Sequence, residues 1–166
     1  MKSFAEKVQI INLRAPAVST ASFETARIRM RNVQWLSFLV QWGAMGGAAT
    51  STYTFQVRSA ATQSTGATDT LLPFKYRLAQ AVGSDTWGAI TSVAATAGAV
   101  ATEAMSNQAM LIEVDPAVIP GLHSAGRYAY LQCTAAGTAA TDSNYAMSVT
   151  ALLAPRYPQN ANLAST

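Results

Sequence analysis

The chain has 166 residues, of which 50% are hydrophobic and 11% charged, whereas average globular chains carry about 25% charged residues. A chain of this length can bury roughly two-thirds of its unfolded surface in one domain, and its single cysteine excludes an internal disulfide. With so few charged residues, ionised groups cannot cover most of the exterior. Neutral polar side chains or a partner must therefore cover part of it.

The first residues, MKSFAEK, place Glu6 and Lys7 where a signal peptide needs an apolar core. The most apolar later stretch, Val33–Trp42, is too short and too polar to cross a bilayer. We therefore expect a soluble protein made in a cytosol, with no membrane contact.

The positive charge is concentrated at the N-terminus. Residues 1–31 hold six basic and two acidic groups, a net charge of +4, and the other 135 residues hold five basic and six acidic groups, a net charge of −1. This segment is either a solvated arm or an arm that docks on an acidic surface or a nucleic acid. The run at residues 8–13 predicts a strand, and Pro16 predicts an extended linker over residues 14–22.

Residues 23–32 alternate between basic and apolar side chains. In a strand this spacing places Arg27, Arg29 and Arg31 on one face, about 7 Å apart. They form either a basic solvent face or a contact with acids of a partner. Aromatic residues are not interleaved with them as in single-strand binders, so the pattern does not favour nucleic acid.

The strand predicted at Val33–Trp42 is apolar on both faces. Trp35 stands at an odd position and Trp42 at an even one, so in a regular strand their side chains point to opposite faces. One of them therefore points outward unless a bulge near Ser37 reverses the faces. The alternative is that a partner subunit covers the second face, because large exposed aromatics often mark interfaces. Under that alternative, Trp35 or Trp42 anchors the contact.

The period-two pattern continues to the end of the chain, with turn residues between the strands. This pattern is typical of an all-β sandwich or barrel with about eight to nine antiparallel strands. We predict an N-terminal arm and linker at 1–22, a sandwich domain at 23–158 and a tail at 159–166. The later strands are predicted at 52–59, 75–80, 86–93, 109–115, 127–135 and 145–153, and the main loops at 43–51, 60–73 and 94–108.

Catalytic motifs are not found. The one histidine, His123, lies in a predicted turn, and no nucleophile-elbow pattern surrounds Ser84 or Ser124. The glycine-rich residues 43–47 lack the lysine and following helix of a phosphate-binding loop. We expect no catalytic residue and no cofactor.

Metal-binding patterns are also weak. One histidine and one cysteine cannot form a four-ligand zinc site. Glu113 and Asp115 share a strand face but lack the calcium-loop pattern, and we expect them at a solvent-facing edge. Cys133 lies in an apolar run, which predicts a small buried side chain. We expect no metal ion.

Three stretches carry a resemblance to a known group: VQWLSFLVQW, AMLIEVDPAVIPG and GRYAYLQCTAAGTAATDSNYAMSVTALLAPRYPQ. They resemble short structural proteins of tailed bacteriophages and prophages, in particular the capsid decoration, or cement, proteins with a jelly-roll-like β-sandwich. The resemblance covers roughly residues 28–158. Its motifs are structural and of low specificity, and none is a functional signature.

The resemblance implies a non-enzymatic virion protein, made in the bacterial cytoplasm and bound to the capsid exterior. Its implied partners are the major capsid protein and further copies of itself, as a dimer or trimer. Bridging capsid subunits would resist the outward pressure of packaged DNA. The contact residues that we expect are Lys2, Lys7, Val8 and Ile10 of the arm, Arg27, Arg29, Arg31, Trp35 and Trp42.

Two other functions stay open at this point. One is a carbohydrate- or receptor-binding sandwich of a fibre, in which Trp87 and Tyr53 stack on sugar rings. The other is a neck or tail component of the virion.

Overall fold

A computed structural model describes residues 7–18, 22–44, 52–63, 69–79, 86–102, 107–119, 127–136 and 146–155. Within these residues the chain forms twelve strands and a 3₁₀ helix at Pro116–Val118. No helix of the described part is long and apolar enough to cross a bilayer. The strands are β1 (Gln9–Val18), β2 (Phe23–Glu24), β3 (Ile28–Arg29), β4 (Val33–Trp42), β5 (Thr52–Ala60), β6 (Thr70–Leu72), β7 (Phe74–Leu78), β8 (Thr91–Val93), β9 (Ala99–Thr102), β10 (Ala109–Val114), β11 (Tyr128–Ala136) and β12 (Ala146–Pro155).

The strands form two antiparallel sheets that pack face to face. The first sheet has the order β1-β12-β4-β10-β7-β8, and the second has the order β2-β11-β5-β6, with β3 also paired to β11 and β9 to β5. If β2 and β3 are counted as one strand and β7, β8 and β9 are left out, eight strands remain. Numbered 1 to 8 along the chain, they have the order 1-8-3-6 in the first sheet and 2-7-4-5 in the second. This is the order of a jelly roll, and the predicted all-β sandwich is confirmed.

The core lies between the inner faces of the two sheets. Trp42 of the first sheet stacks on Phe55 of the second, with ring centroids 6.4 Å apart and planes inclined by 15°. The large side chains around this pair alternate along each strand, as a period of two requires. Among those almost completely buried are Tyr53, Phe38, Ile28, Met30, Leu36, Leu72, Met110, Ile112 and Leu131.

A bulge at the start of β4 explains part of its two-sided apolar pattern. Ala154 of β12 lies opposite Trp35 and Pro155 lies opposite Val33, so Gln34 is an extra residue. The bulge lets Val33, which is 1% exposed, join the core. A bulge near Ser37, one of the two alternatives for this strand, is not present, because the pairing with β12 and β10 is regular there.

Several predicted boundaries differ from the structure. β1 continues through the predicted linker to Val18, and register shifts on either side of Arg14 accommodate the segment that contains Pro16. β6 and β9 lie in segments predicted as loops, because pairing with β5 outweighs their weak local pattern. The predicted strand over 23–32 is broken into the two-residue strands β2 and β3. The predicted tail at 159–166 lies outside the described residues.

Gly98, just before β9, lies where the chain passes very close to β5. A Cβ atom at this position would overlap the Thr54 methyl group and lie 3.0 Å from the Phe55 carbonyl oxygen. We expect Gly98→Ala to lower the free energy of unfolding by about 1–3 kcal/mol. Urea denaturation measures this loss. Gly43→Ala, whose Cβ would meet its nearest neighbour at 3.8 Å, is the matched control. Equal stability of the two variants would contradict the close approach.

Candidate functional site

The outer face of the first sheet carries large apolar side chains. Ile10 lies opposite Leu152, which lies opposite Ser37, and in the next row Leu39 lies opposite Leu111. Ile10 is 57% exposed, while Leu39, Leu111, Leu152 and Trp35 are half-buried. We call Ile10, Trp35, Leu39, Leu111 and Leu152 the outer apolar face.

Ser37 lies within the outer apolar face and is itself completely buried. Its hydroxyl makes no hydrogen bond to a described residue, so the surrounding side chains already exclude water from this point. The outer face of a β-sandwich is normally wet, whereas here large apolar side chains share this face with polar residues such as Thr150 and Glu113.

Three of the four arm residues expected at a contact lie in the described part of the chain. Lys7 is exposed and Val8 is half-buried. Ile10 belongs to β1, which forms an edge of the first sheet. Lys2 lies outside the described residues.

The structure corrects the expectation that all three arginines are available for contact. Arg27 is 7% exposed. It donates from Nη2 to Asp69 Oδ2 at 2.9 Å and from Nη1 to the Thr62 carbonyl oxygen at 3.0 Å. Arg29 and Arg31 are exposed. Ile28 lies opposite Ala129 and Arg29 opposite Tyr128, so the alternation continues through this segment, and Arg27 differs in being buried by its own contacts.

Arg27, Asp69 and Tyr130 form a buried polar cluster on the outer side of the second sheet. The Arg27 guanidinium lies 4.7 Å from the centroid of the Tyr130 ring. The Tyr130 hydroxyl donates to Asp69 Oδ2 at 2.5 Å, and burial together with this hydrogen bond raises the pKa of Tyr130 well above its usual range. The cluster joins the β2–β3 segment, the β5–β6 connection and β11. These contacts assign the cluster a structural role.

The aromatic residues divide between core and surface. Trp42, at 4% exposed, and Tyr53, at 0%, are enclosed in the core. The expectations that Trp42 anchors an interface and that Tyr53 stacks on sugars are therefore corrected, because neither ring reaches the surface. Trp35 is half-buried and Trp87 is 37% exposed.

A groove of about 490 Å³ lies at one end of the first sheet. The two carboxylates predicted to share a strand face, Glu113 and Asp115, line it beside Lys75. Asp115 accepts a hydrogen bond from the Ala117 backbone N–H at 2.9 Å and so caps the 3₁₀ helix. The other residues that line the groove are Gln34, Trp35, Pro73, Phe74, Ser92, Val93, Val114, Pro116 and Val118.

Metal-ligating side chains do not gather in the described part of the chain, where no three His, Cys, Asp or Glu residues are placed to hold an ion. His123 lies outside that part. The chemistry available at the described surface is therefore that of the outer apolar face, the groove and the exposed arginines.

No protein-family profile matches this sequence, and no curated protein matches it as a relative.

Breaking the buried polar cluster tests its structural role. We expect Arg27→Met to lower the free energy of unfolding by about 3 kcal/mol, because it leaves the Asp69 carboxylate buried without its cation. Arg29→Met, at an exposed position, is the control and should change it by less than about 0.5 kcal/mol. Adding Asp69→Leu to Arg27→Met should recover part of the loss in chemical denaturation. A further loss in the double variant would contradict the pairing.

Cys133 is free and completely buried, as predicted. Burial raises the pKa of its thiol from 9.0 to about 12, against a smaller opposing effect of Arg14. Because the unfolded chain releases this proton at lower pH than the folded chain, the thiol's contribution to stability is complete below about pH 9 and is lost as the pH rises towards 12.

Between about pH 8 and 10 the native chain should therefore lose about 1.4 kcal/mol more unfolding free energy than Cys133→Ala. The Tyr130 hydroxyl affects both proteins equally, so urea denaturation of the pair at the two pH values isolates the thiol. Parallel losses would show that the thiol is not shielded from water.

Proposed function

We propose that this protein is a non-enzymatic virion structural protein that decorates and stabilises a phage capsid from its exterior. Its partners are the major capsid protein and further copies of itself in a dimer or trimer. The observation that carries the proposal is the outer apolar face on a jelly-roll sandwich, an architecture that recurs in viral capsid proteins. The resemblance of residues 28–158 to decoration proteins supports the same class.

The outer apolar face suits contact with a sister copy. Apolar surface buried at an interface contributes about 25 cal/mol per Å² before the costs of association. Closed symmetric oligomers place the same patch of each copy in the contact. Leu152, between Ile10 and Ser37, would lie at the centre of the contact, with Leu39 and Leu111 on one side of it and Trp35 on the other.

A different surface suits contact with the shell. Arg29 and Arg31 are exposed at the β3 edge of the second sheet, away from the outer apolar face. Exposed cations of this kind favour docking on acidic groups and make it sensitive to salt. The β1 edge of the first sheet offers backbone groups to a neighbouring strand, a recognised mode of attachment.

Co-sedimentation with empty mature shells of the partner capsid protein, together with native mass, tests this function. The native chain should bind saturably, at a fixed ratio to capsid subunits, as a dimer or trimer. A monomer that does not bind shells would overturn the proposal. Saturable glycan binding by such a monomer would favour the carbohydrate-binding class, and a ring of six or twelve copies would favour a neck or tail component.

Variants at each surface separate the two contacts. We expect Ile10→Glu to weaken self-association at least about tenfold, because it replaces an exposed apolar side chain of the contact by a charge. Thr134→Glu, exposed on the other sheet, is the matched control. The Arg29→Glu, Arg31→Glu pair should keep the oligomer and dissociate from shells at lower salt. Unchanged salt resistance of shell binding would remove the arginines from the contact.

A further inference from the structure

Two arginines and a tyrosine lie together on the outer side of the second sheet, at the end where β11 begins. Arg29 lies opposite Tyr128, which lies opposite Ala60. In the next row along the same face, Tyr130 lies opposite Arg58. We call Arg29, Arg58 and Tyr128 the arginine–tyrosine surface. It belongs to the second sheet, so its residues take no part in the outer apolar face, which belongs to the first.

The two arginines of this surface have no acidic partner within the described part of the chain. Arg29 is exposed and Arg58 is half-buried, and neither forms an ion pair with a described residue. The Nε atom of Arg58 is buried and makes no hydrogen bond to a described residue. A half-buried cation without a counter-ion costs free energy, which a carboxylate supplied by a partner would offset.

The acids of the described residues are bound elsewhere. Of the four, two line the groove of the first sheet. Asp69 accepts hydrogen bonds from Arg27 and Tyr130, and Glu24 accepts one from Gln132 Nε2 at 3.1 Å. The arginine–tyrosine surface therefore keeps its positive charge, and an acidic partner complements it.

The aromatic groups favour carboxylates over the bases of a nucleic acid. Tyr130 is 1% exposed, and the Arg27 guanidinium lies 4.7 Å from the centroid of its ring, so this ring offers no face for stacking. Tyr128 is half-buried, and one such ring is not the succession of aromatic faces on which single strands stack. Arginine, in contrast, binds carboxylates through two parallel hydrogen bonds.

We propose that the arginine–tyrosine surface binds an extended acidic segment of a partner protein, with one carboxylate on Arg29, a second on Arg58 and the segment's backbone crossing Tyr128. Arg58 lies two strands across and one row along from Arg29, so their Cα atoms are roughly 12 Å apart. In an extended segment, side chains four residues apart share a face and are about 13 Å apart. The surface thus selects acids spaced i and i+4.

This inference rests on the proposed function for the identity of the partner, which would be the major capsid protein. It adds to the shell contact a half-buried arginine, Arg58, and a stated spacing of acids in the bound segment.

NMR titration of the full-length chain with the synthetic peptide Thr-Glu-Thr-Thr-Thr-Glu-Thr tests the binding directly. Arg58→Met, which keeps the apolar stem of the side chain, should weaken peptide binding about fivefold. Arg77→Met, at a half-buried position of the first sheet, is the matched control and should leave it unchanged. The peptide Thr-Thr-Glu-Glu-Thr-Thr-Thr has the same composition but adjacent acids, and it should bind about threefold more weakly because it reaches one arginine at a time.

Equal affinities of the Arg58→Met and Arg77→Met variants would overturn the proposal, as would equal affinities of the two peptides. Tighter binding of oligo(dT) that is lost in Arg58→Met would assign the surface to nucleic acid and also overturn it. Co-sedimentation with shells separates this inference from the capsid function. A chain that coats shells but does not bind the peptide contradicts the inference alone, whereas a chain that binds the peptide through Arg58 but not shells contradicts the capsid function alone.

Discussion

The pairing of the first strand with the last is the constraint on which the rest of the fold depends. β12 lies between β1 and β4, so the described ends of the chain must meet before the first sheet is complete. Until β12 is in place, β4 has an open edge, and Val149 and Leu153 are missing from the core. Such long-range closure is entropically costly and slow to form, so the sandwich gains its stability late and as a unit.

The sequence predicts the fold best where pattern and packing coincide. Strands such as β4, β5 and β10 place large apolar residues at every second position, and all three were predicted close to their observed bounds. β6 and β9 were missed because their segments are rich in Thr, Ala and Gly, and only pairing with β5 makes them strands. A local pattern cannot show a partner that lies far away in the chain.

The same limit applies to the functional surfaces. The two-sided apolar pattern of β4 predicted that its second face was unusual, and Trp35 and Leu39 do lie on the outer apolar face. The partner of Arg27, by contrast, is Asp69, 42 residues away, and no spacing rule connects the two. The groove was also not predictable, because its walls come from β4, β7, β8, β10 and the 3₁₀ helix and meet only in the folded sheet. The face of a strand that a residue occupies can be predicted from the nearby sequence, whereas its burial depends on the neighbouring strands.

The irregular edge of the first sheet has a consequence for how the protein behaves when crowded. Sheets with long regular edges can add strand after strand and grow into fibrils. Here β1 carries two register shifts and Pro16, which has no backbone N–H to donate, and the opposite edge strand, β8, is only three residues long. These interruptions limit how many consecutive backbone hydrogen bonds an added strand can form. A protein with so little surface charge can thus be packed at high local density and still resist polymerising into amyloid-like filaments.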